Sequence, residues 1–299
     1  MNHTSQCFMH HMGVYMLETR FAQSVKSKLE ANPNVFLSEF DPKAAYQEML
    51  SMEPIADRRD LYGITAQGVA IIPVIGVMTK GSNKFGTSTN QARRALSQAT
   101  NDPSVKAIML HFDTPGGSFA GSDEFAADVA KAAAIKPLAA HADDLVASAG
   151  MYVASQAPRL TLNAAGEAGS IGTYTVVYDS SGAAEMQGVK VHLITTGANK
   201  GVGADGVPIN EPQLARIQSL VNQAQSFFSA AIAKGRNLSK SQVDSLVSDG
   251  GTWFAKEAKQ LGLIDAVESY DVALEKLAAR IRPTNRNSRA RQIQILELE

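Results

Sequence analysis

Apolar residues change their spacing along this chain in a strand–helix rhythm. Val69–Met78 (VAIIPVIGVM) is a nearly continuous β-branched run, the pattern of a strand buried on both faces. Gln91–Thr100 has helical spacing and stops at the Asn101-Asp102-Pro103 turn. Val105–Phe112 is a second buried strand, running directly into Asp113-Thr114-Pro115-Gly116-Gly117. The pattern then predicts a helix over Ser122–Ala134, a strand over Pro137–Ala142 and a helix from Ser148 through Ala149–Ala157. Strands follow at Arg159–Leu162 and Val189–Thr195, and a long helix covers about Glu211–Lys234. Ser239-x-x-Gln242 is a capping box for another helix. Trp253–Leu261 reads as a last helix, closed by Gly262. Such alternation means an α/β fold, parallel strands covered by helices.

Three zones follow. Residues 1–64 are polar and helix-prone, for example Leu17–Leu29 and Pro42–Met52, and read as an N-terminal helical arm. Residues 65–270 form the α/β domain. Residues 271–299 hold the end of a C-terminal helix and a basic tail, whose arginines read as a solvated terminus.

Charge and composition narrow the functions. The 299 residues hold 28 Lys and Arg against 29 Asp and Glu, so no strong field recruits nucleic acid or an anionic membrane. Cys7 is the only cysteine, which excludes an intrachain disulfide and a cysteine-built zinc site. The beginning of the sequence lacks the basic and apolar regions of a secretory signal, and no window approaches the ~20 apolar residues of a membrane span. The expected location is therefore the cytosol, with no membrane span. No Walker-type phosphate loop or HExxH cluster is present, so no nucleotide, metal or other cofactor is expected.

Two places could carry chemistry. Gly116 and Gly117 follow a buried strand and can expose adjacent N–H groups to a developing oxyanion, although a Pro-Gly turn into a helix is the commoner use. Ser148 lies among small residues at a helix start. A serine there is ordinarily an N-cap, but Ala149 and Gly150 leave room for a substrate and the Ala149 N–H could serve an oxyanion. A serine nucleophile needs a base. Among the histidines only His141 is placed plausibly, and no G-x-S-x-G surrounds Ser148. Lys200 is the other candidate, in a loop rich in Gly and Ala; a loop lysine is usually just solvated. A lysine acting as base near neutral pH needs its ammonium destabilised by roughly 4 kcal/mol.

The ordered motifs resemble signal peptide peptidase A (protease IV) and its relatives among phage head-maturation proteases. They are DTPGG at 113–117, ADDLVASAGMYVAS at 142–155, GEAGSIGT at 166–173, GVKVHLITTGANKG at 188–201, FFSAAIAKGRNLS at 227–239 and WFAKEAKQLGLID at 253–265. Together they span about Val69 to Val267, and the 52 residues from Ser148 to Lys200 fit the family's spacing.

The resemblance implies a serine peptidase with a Ser–Lys dyad on a Clp protease/crotonase-like spiral of β-β-α units. Ser148 is then the nucleophile, Lys200 the general base and Ser170 the residue that orients the lysine. Gly116, Gly117 and Ala149 supply the oxyanion N–H groups. It further implies a polypeptide substrate, a homo-oligomer with active sites at subunit interfaces and, from the phage members, capsid or scaffold partners. Ala149 departs from the glycine of many members but keeps its N–H. Two other readings remain at this point: an acyl-CoA-handling enzyme of the same fold, because Ser118–Asp123 resembles a crotonase oxyanion segment, and an inactive scaffold or capsid component.

Overall fold

The structure is a computed structural model that describes residues 61–81 and 86–281, with the backbone alone at 15–17 and 55–58. In chain order the strands are β1 (Tyr15–Leu17), β2 (Ile55–Arg58), β3 (Gly63–Thr65), β4 (Val69–Ile75), β5 (Ala107–Thr114), β6 (Gly116–Ser118), β7 (Leu138–Ala147), β8 (Leu160–Leu162), β9 (Glu167–Gly169), β10 (Thr252–Phe254) and β11 (Ala266–Val267). The helices are α1 (Thr89–Asn101), α2 (Ser122–Ile135), α3 (Ala149–Ala154), α4 (Ser181–Met186), α5 (Glu211–Arg236), α6 (Lys240–Asp249), α7 (Ala255–Gln260) and α8 (Tyr270–Ala279).

The two continuous apolar runs become neighbouring parallel strands, β4 and β5, at the centre of a nine-stranded sheet. Its order is β10-β9-β7-β5-β4-β3-β2. The first half of β7 pairs with β8, which in turn pairs with β11, and its second half pairs with β9, all parallel. Alternation along β5 sends Ile108, Leu110 and Phe112 into a core shared with α1, α2, α3 and α5. Ala107 and Met109 point to the other face, which α8 covers with Ala273, Leu274 and Leu277. Burial on both faces is why these strands lack polar alternation.

Helix ends follow their capping residues. Ser88 caps α1, and both Asn210/Gln213 and Ser239/Gln242 form reciprocal capping boxes at α5 and α6. Gly262 takes φ +77° just after α7, as a terminating glycine should.

Three expectations need correction. The strand read over Pro137–Ala142 continues to Ala147, because β9 supplies a ladder for its polar second half. Trp253–Leu261 is not one helix: Thr252–Phe254 pair antiparallel with β9, and α7 begins at Ala255. The strand expected over Val189–Thr195 is absent. It meets no ladder among the described residues, and Val189, Val191, Leu193 and Ile194 lie exposed, Ile194 by 92%. A lone strand leaves its backbone to water and gains nothing for its ordering.

Within residues 1–64 the described regular structure is strand: β1, β2 and the start of β3. The helices expected at Leu17–Leu29 and Pro42–Met52 lie outside the described residues, apart from Leu17 at the end of β1. The basic tail from residue 282 also lies outside them.

Candidate active site

The register of β7 against β9 aligns Val146 with Ala168 and Ala147 with Gly169. The next residue on each strand is a serine, so Ser148 and Ser170 stand side by side at the carboxyl ends of the strands. This is where open α/β sheets place their ligand sites. Both residues have positive φ, +54° and +52°, in the region that L side chains rarely adopt. The turn is held by backbone bonds: Ser148 N–H donates to Gly169 C=O at 2.8 Å and Ser170 N–H to Gly251 C=O at 2.6 Å. Gly169 has φ +138°, and a Cβ there would lie 2.7 Å from the Trp253 ring.

Ser148 stands at the N-terminus of α3, and its C=O accepts from Tyr152 N–H at 2.9 Å. It does not cap the helix. Its backbone, φ 54° and ψ −118°, is not the extended form of a capping serine, and its side chain makes no cap bond. The residue is fully buried, and Oγ has no hydrogen-bond partner among the described residues. Strand, strained serine turn and helix together have the shape of a nucleophile elbow, built without the G-x-S-x-G sequence.

Gly150 does not make room for substrate, as the sequence suggested. A Cβ there would lie 2.4 Å from the Thr114 methyl, so the space is filled by packing between α3 and the end of β5. Tyr152, one turn into α3, donates its hydroxyl to Asp123 at 2.7 Å; burial and this bond push its phenol up.

The glycine pair lies in β6. Gly116 has φ +93°, and its N–H donates to Thr114 Oγ1 at 3.1 Å, so this donor is engaged within the chain. Gly117 has no space for a side chain, since a Cβ would sit 1.9 Å from Met78 O. β6, which carries Gly117, packs against α3, whose first turn begins with Ala149. Thr114 is the residue that sequence reasoning missed. Its Oγ1 also donates to Gly76 C=O at 2.6 Å, joining β4, β5 and β6, and nothing in a single sequence marks it apart from its place in DTPGG.

Lys200 is exposed, and its backbone N–H closes a turn onto Gly197 C=O at 3.0 Å. Within one chain it is not hydrogen-bonded to Ser148, whose Oγ is unpartnered. His141 does not reach it either. Alternation along β7 turns Ala139 and His141 toward α8, on the face opposite the one that α3 covers. There His141 Nδ1 lies 2.8 Å from Thr161 Oγ1, and its Nε2 is 3.5 Å from Asp143. His111 lies beside it, 2.8 Å from Asp143 and stacked on Tyr270. Burial pushes the Asp143 carboxyl up, but hydrogen bonds and positive charge from the two histidines outweigh it and hold the group well below the usual range. Asp113 goes the other way, pushed up to about 6 by burial and then by the charges of Asp144 and Asp143.

Ser118–Asp123, the segment resembling a crotonase loop, ends β6 and opens α2, with Ser122 Oγ bonded to Ser118 C=O at 2.8 Å. Among the described residues no cluster of three or more His, Cys, Asp or Glu could hold a metal ion. No described helix is long and apolar enough to cross a membrane.

The sequence profile of peptidase family S49 matches residues 130–282, a little over half of the chain, including Ser148, Ser170 and Lys200. The chain belongs to peptidase family S49. Capsid assembly protease C of Escherichia phage lambda is 33% identical over 225 residues, 71% of this chain and 50% of that protein. Protease 4 of Haemophilus influenzae is 28% identical over 74% of this chain and 36% of its own length. Head-tail preconnector protein GP5 of Enterobacteria phage P21 is 25% identical over 77% of this chain and 46% of that protein. The S49 chain thus spans half or less of the length of these three relatives.

Proposed function

We propose that this chain is a serine endopeptidase whose Ser148–Lys200 dyad is assembled between subunits. One observation carries the reading: Ser148 sits in a strained strand-to-helix turn with a buried, unpartnered Oγ, while the same chain holds Lys200 out in solvent. The loop bearing Lys200 supports assembly. Tyr178, Met186, Val189, Val191, Leu193 and Ile194, in the segment leading to it, all expose apolar surface. A neighbouring copy that covers this surface buries Lys200 against Ser148, and burial disfavours its ammonium.

In this scheme the neutral Lys200 amine takes the Ser148 hydroxyl proton as Oγ bonds to the scissile carbonyl carbon. Gly117 N–H and Ala149 N–H receive the developing oxyanion, while Gly116 shapes the turn and leaves its own N–H on Thr114. Ser170, beside Ser148 in register, orients the amine. The lysine then protonates the leaving amine, and water hydrolyses the acyl-enzyme to release the second product and restore Ser148. The scheme uses no nucleotide, and the lack of a Walker-type phosphate loop in the sequence supports an ATP-independent enzyme.

The fold reading extends from the mixed α/β sheet to the Clp protease/crotonase-like spiral of β-β-α units. The relatives named for capsid assembly and head–tail connection support a role in phage head maturation, on capsid or scaffold polypeptides in the host cytosol.

A mixing assay tests the dyad. Ser148→Ala and Lys200→Ala should each abolish casein cleavage while leaving the fold intact. Unfolding the two together and refolding them should restore activity, because some interfaces then pair an intact Ser148 with an intact Lys200. Dead singles without recovery in verified mixed oligomers would place the dyad within one chain. Singles as active as wild type would refute the assignment.

A further inference from the structure

β6 is a three-residue strand with two edges. One edge is bonded to Met78: Met78 N–H donates to Gly116 C=O and Ser118 N–H to Met78 C=O, both at 2.8 Å. Strand alternation therefore turns the N–H and C=O of Gly117 to the opposite edge. That edge is occupied. β1 pairs there antiparallel, with Tyr15 opposite Ser118, Met16 opposite Gly117 and Leu17 opposite Gly116. The pair forms a two-stranded sheet separate from the nine-stranded one. Residues about a hundred positions upstream thus lie on the backbone edge that carries the oxyanion donor of the reading above.

An extended peptide that adds to a sheet edge gains backbone hydrogen bonds without regard to its sequence, and side-chain pockets then select among peptides. β1 uses the outer edge of β6 in that manner. Its central residue stands opposite Gly117, so a substrate carbonyl accepting from the Gly117 N–H, as in the reading above, would need the same place. A strand tethered to its own docking edge also has an effective concentration of order millimolar, so it competes with any peptide arriving from solution.

We propose that the outer edge of β6 is the peptide-docking edge of this protein, and that Tyr15–Leu17 is its resident occupant, a competitor that must leave before another polypeptide can bind. The inference rests on the peptidase reading for the role of Gly117. The docking itself is measurable without catalysis.

The test compares full-length chains that both carry Ser148→Ala, so that nothing is cut, with and without Met16→Pro. Proline removes the N–H at the centre of β1 and is poorly tolerated in a paired strand. Because β1 lies outside the main sheet, Trp253 fluorescence should be unchanged and reports an intact fold. Amide exchange at Gly117, the β6 residue whose N–H faces β1, should be at least tenfold faster with Met16→Pro, while Gly116 and Ser118, bonded to Thr114 and Met78, should keep theirs. A fluorescent synthetic peptide of residues 11–21 should bind the Met16→Pro chain with at least tenfold lower Kd. Absence of either change overturns the proposal. If both changes appear and the chain with Ser148 restored cleaves no peptide, the docking edge stands and the peptidase reading falls.

Discussion

Ser148 offers a stability test whose sign differs between an ordinary helix cap and a strained, unpartnered nucleophile. Losing a capping serine to alanine costs about 0.5–2 kcal/mol, and glycine costs only a few tenths. The observed residue has neither a cap bond nor a capping backbone. Its φ of 54° and ψ of −118° carry a strain of about 1–3 kcal/mol. Its buried Oγ, with no partner among the described residues, adds about 1–3 kcal/mol. Alanine removes the second penalty and keeps the first. Glycine removes both, against about 0.5–1 kcal/mol of added chain entropy. In a Lys200→Ala background, where no neighbouring amine can reach the hydroxyl, the expected order of stability is Gly above Ala above Ser. The Ser-to-Ala gain should be about 1–3 kcal/mol, and Gly should exceed Ala by about 1 kcal/mol. Trp253, the only tryptophan, packs against Gly169 beside the site and reports urea unfolding at matched protein concentration. A Ser148→Ala chain less stable than its parent would refute the reasoning and return Ser148 to the role of a helix cap.

Other outcomes follow from the same contacts. Gly150→Ala should destabilise by about 1–3 kcal/mol through its clash with the Thr114 methyl, and Thr114→Ser, which deletes that methyl, should recover much of the loss in a double-mutant cycle. Asp113 has a folded pKa of about 6, raised above its unfolded value, so its ionised form opposes folding above pH 6 and ceases to do so below about pH 4. Asp113→Asn should therefore stabilise the protein in urea titrations at pH 7.5 and make no difference at pH 3.5. Ile194→Glu, in the exposed apolar loop, should shift the protein to smaller species in sedimentation and lower peptidase activity at least tenfold; an unchanged assembly would exclude that loop from the subunit contact.

Much of the scaffold was legible from local pattern. The unbroken apolar runs at Val69 and Val105 marked strands buried on both faces, and the capping boxes and Gly262 marked helix ends, because these features depend on residues close in the chain. Val189–Thr195 misled for the same reason. Its alternation has the strand period, but a strand also needs a neighbour, and the described chain supplies none. Trp253 read as helix until β9 provided a ladder for it. The ordered motifs pointed to Ser148, Ser170 and Lys200 as residue types at family spacing, without their relative positions.

Those positions belong to tertiary structure. Only the pairing of β7 with β9 sets Ser148 beside Ser170, since register depends on both strands at once. Only the closeness of Thr114 gives Gly150 its reason and engages the Gly116 N–H within the chain. Sheet alternation, a property of the folded strand, turns His141 to the face opposite α3. The occupied outer edge of β6 was also beyond sequence reasoning, because backbone hydrogen bonds across a hundred residues leave no side-chain signature. Spacing along the chain determined which residues could act, and packing decided which of them meet.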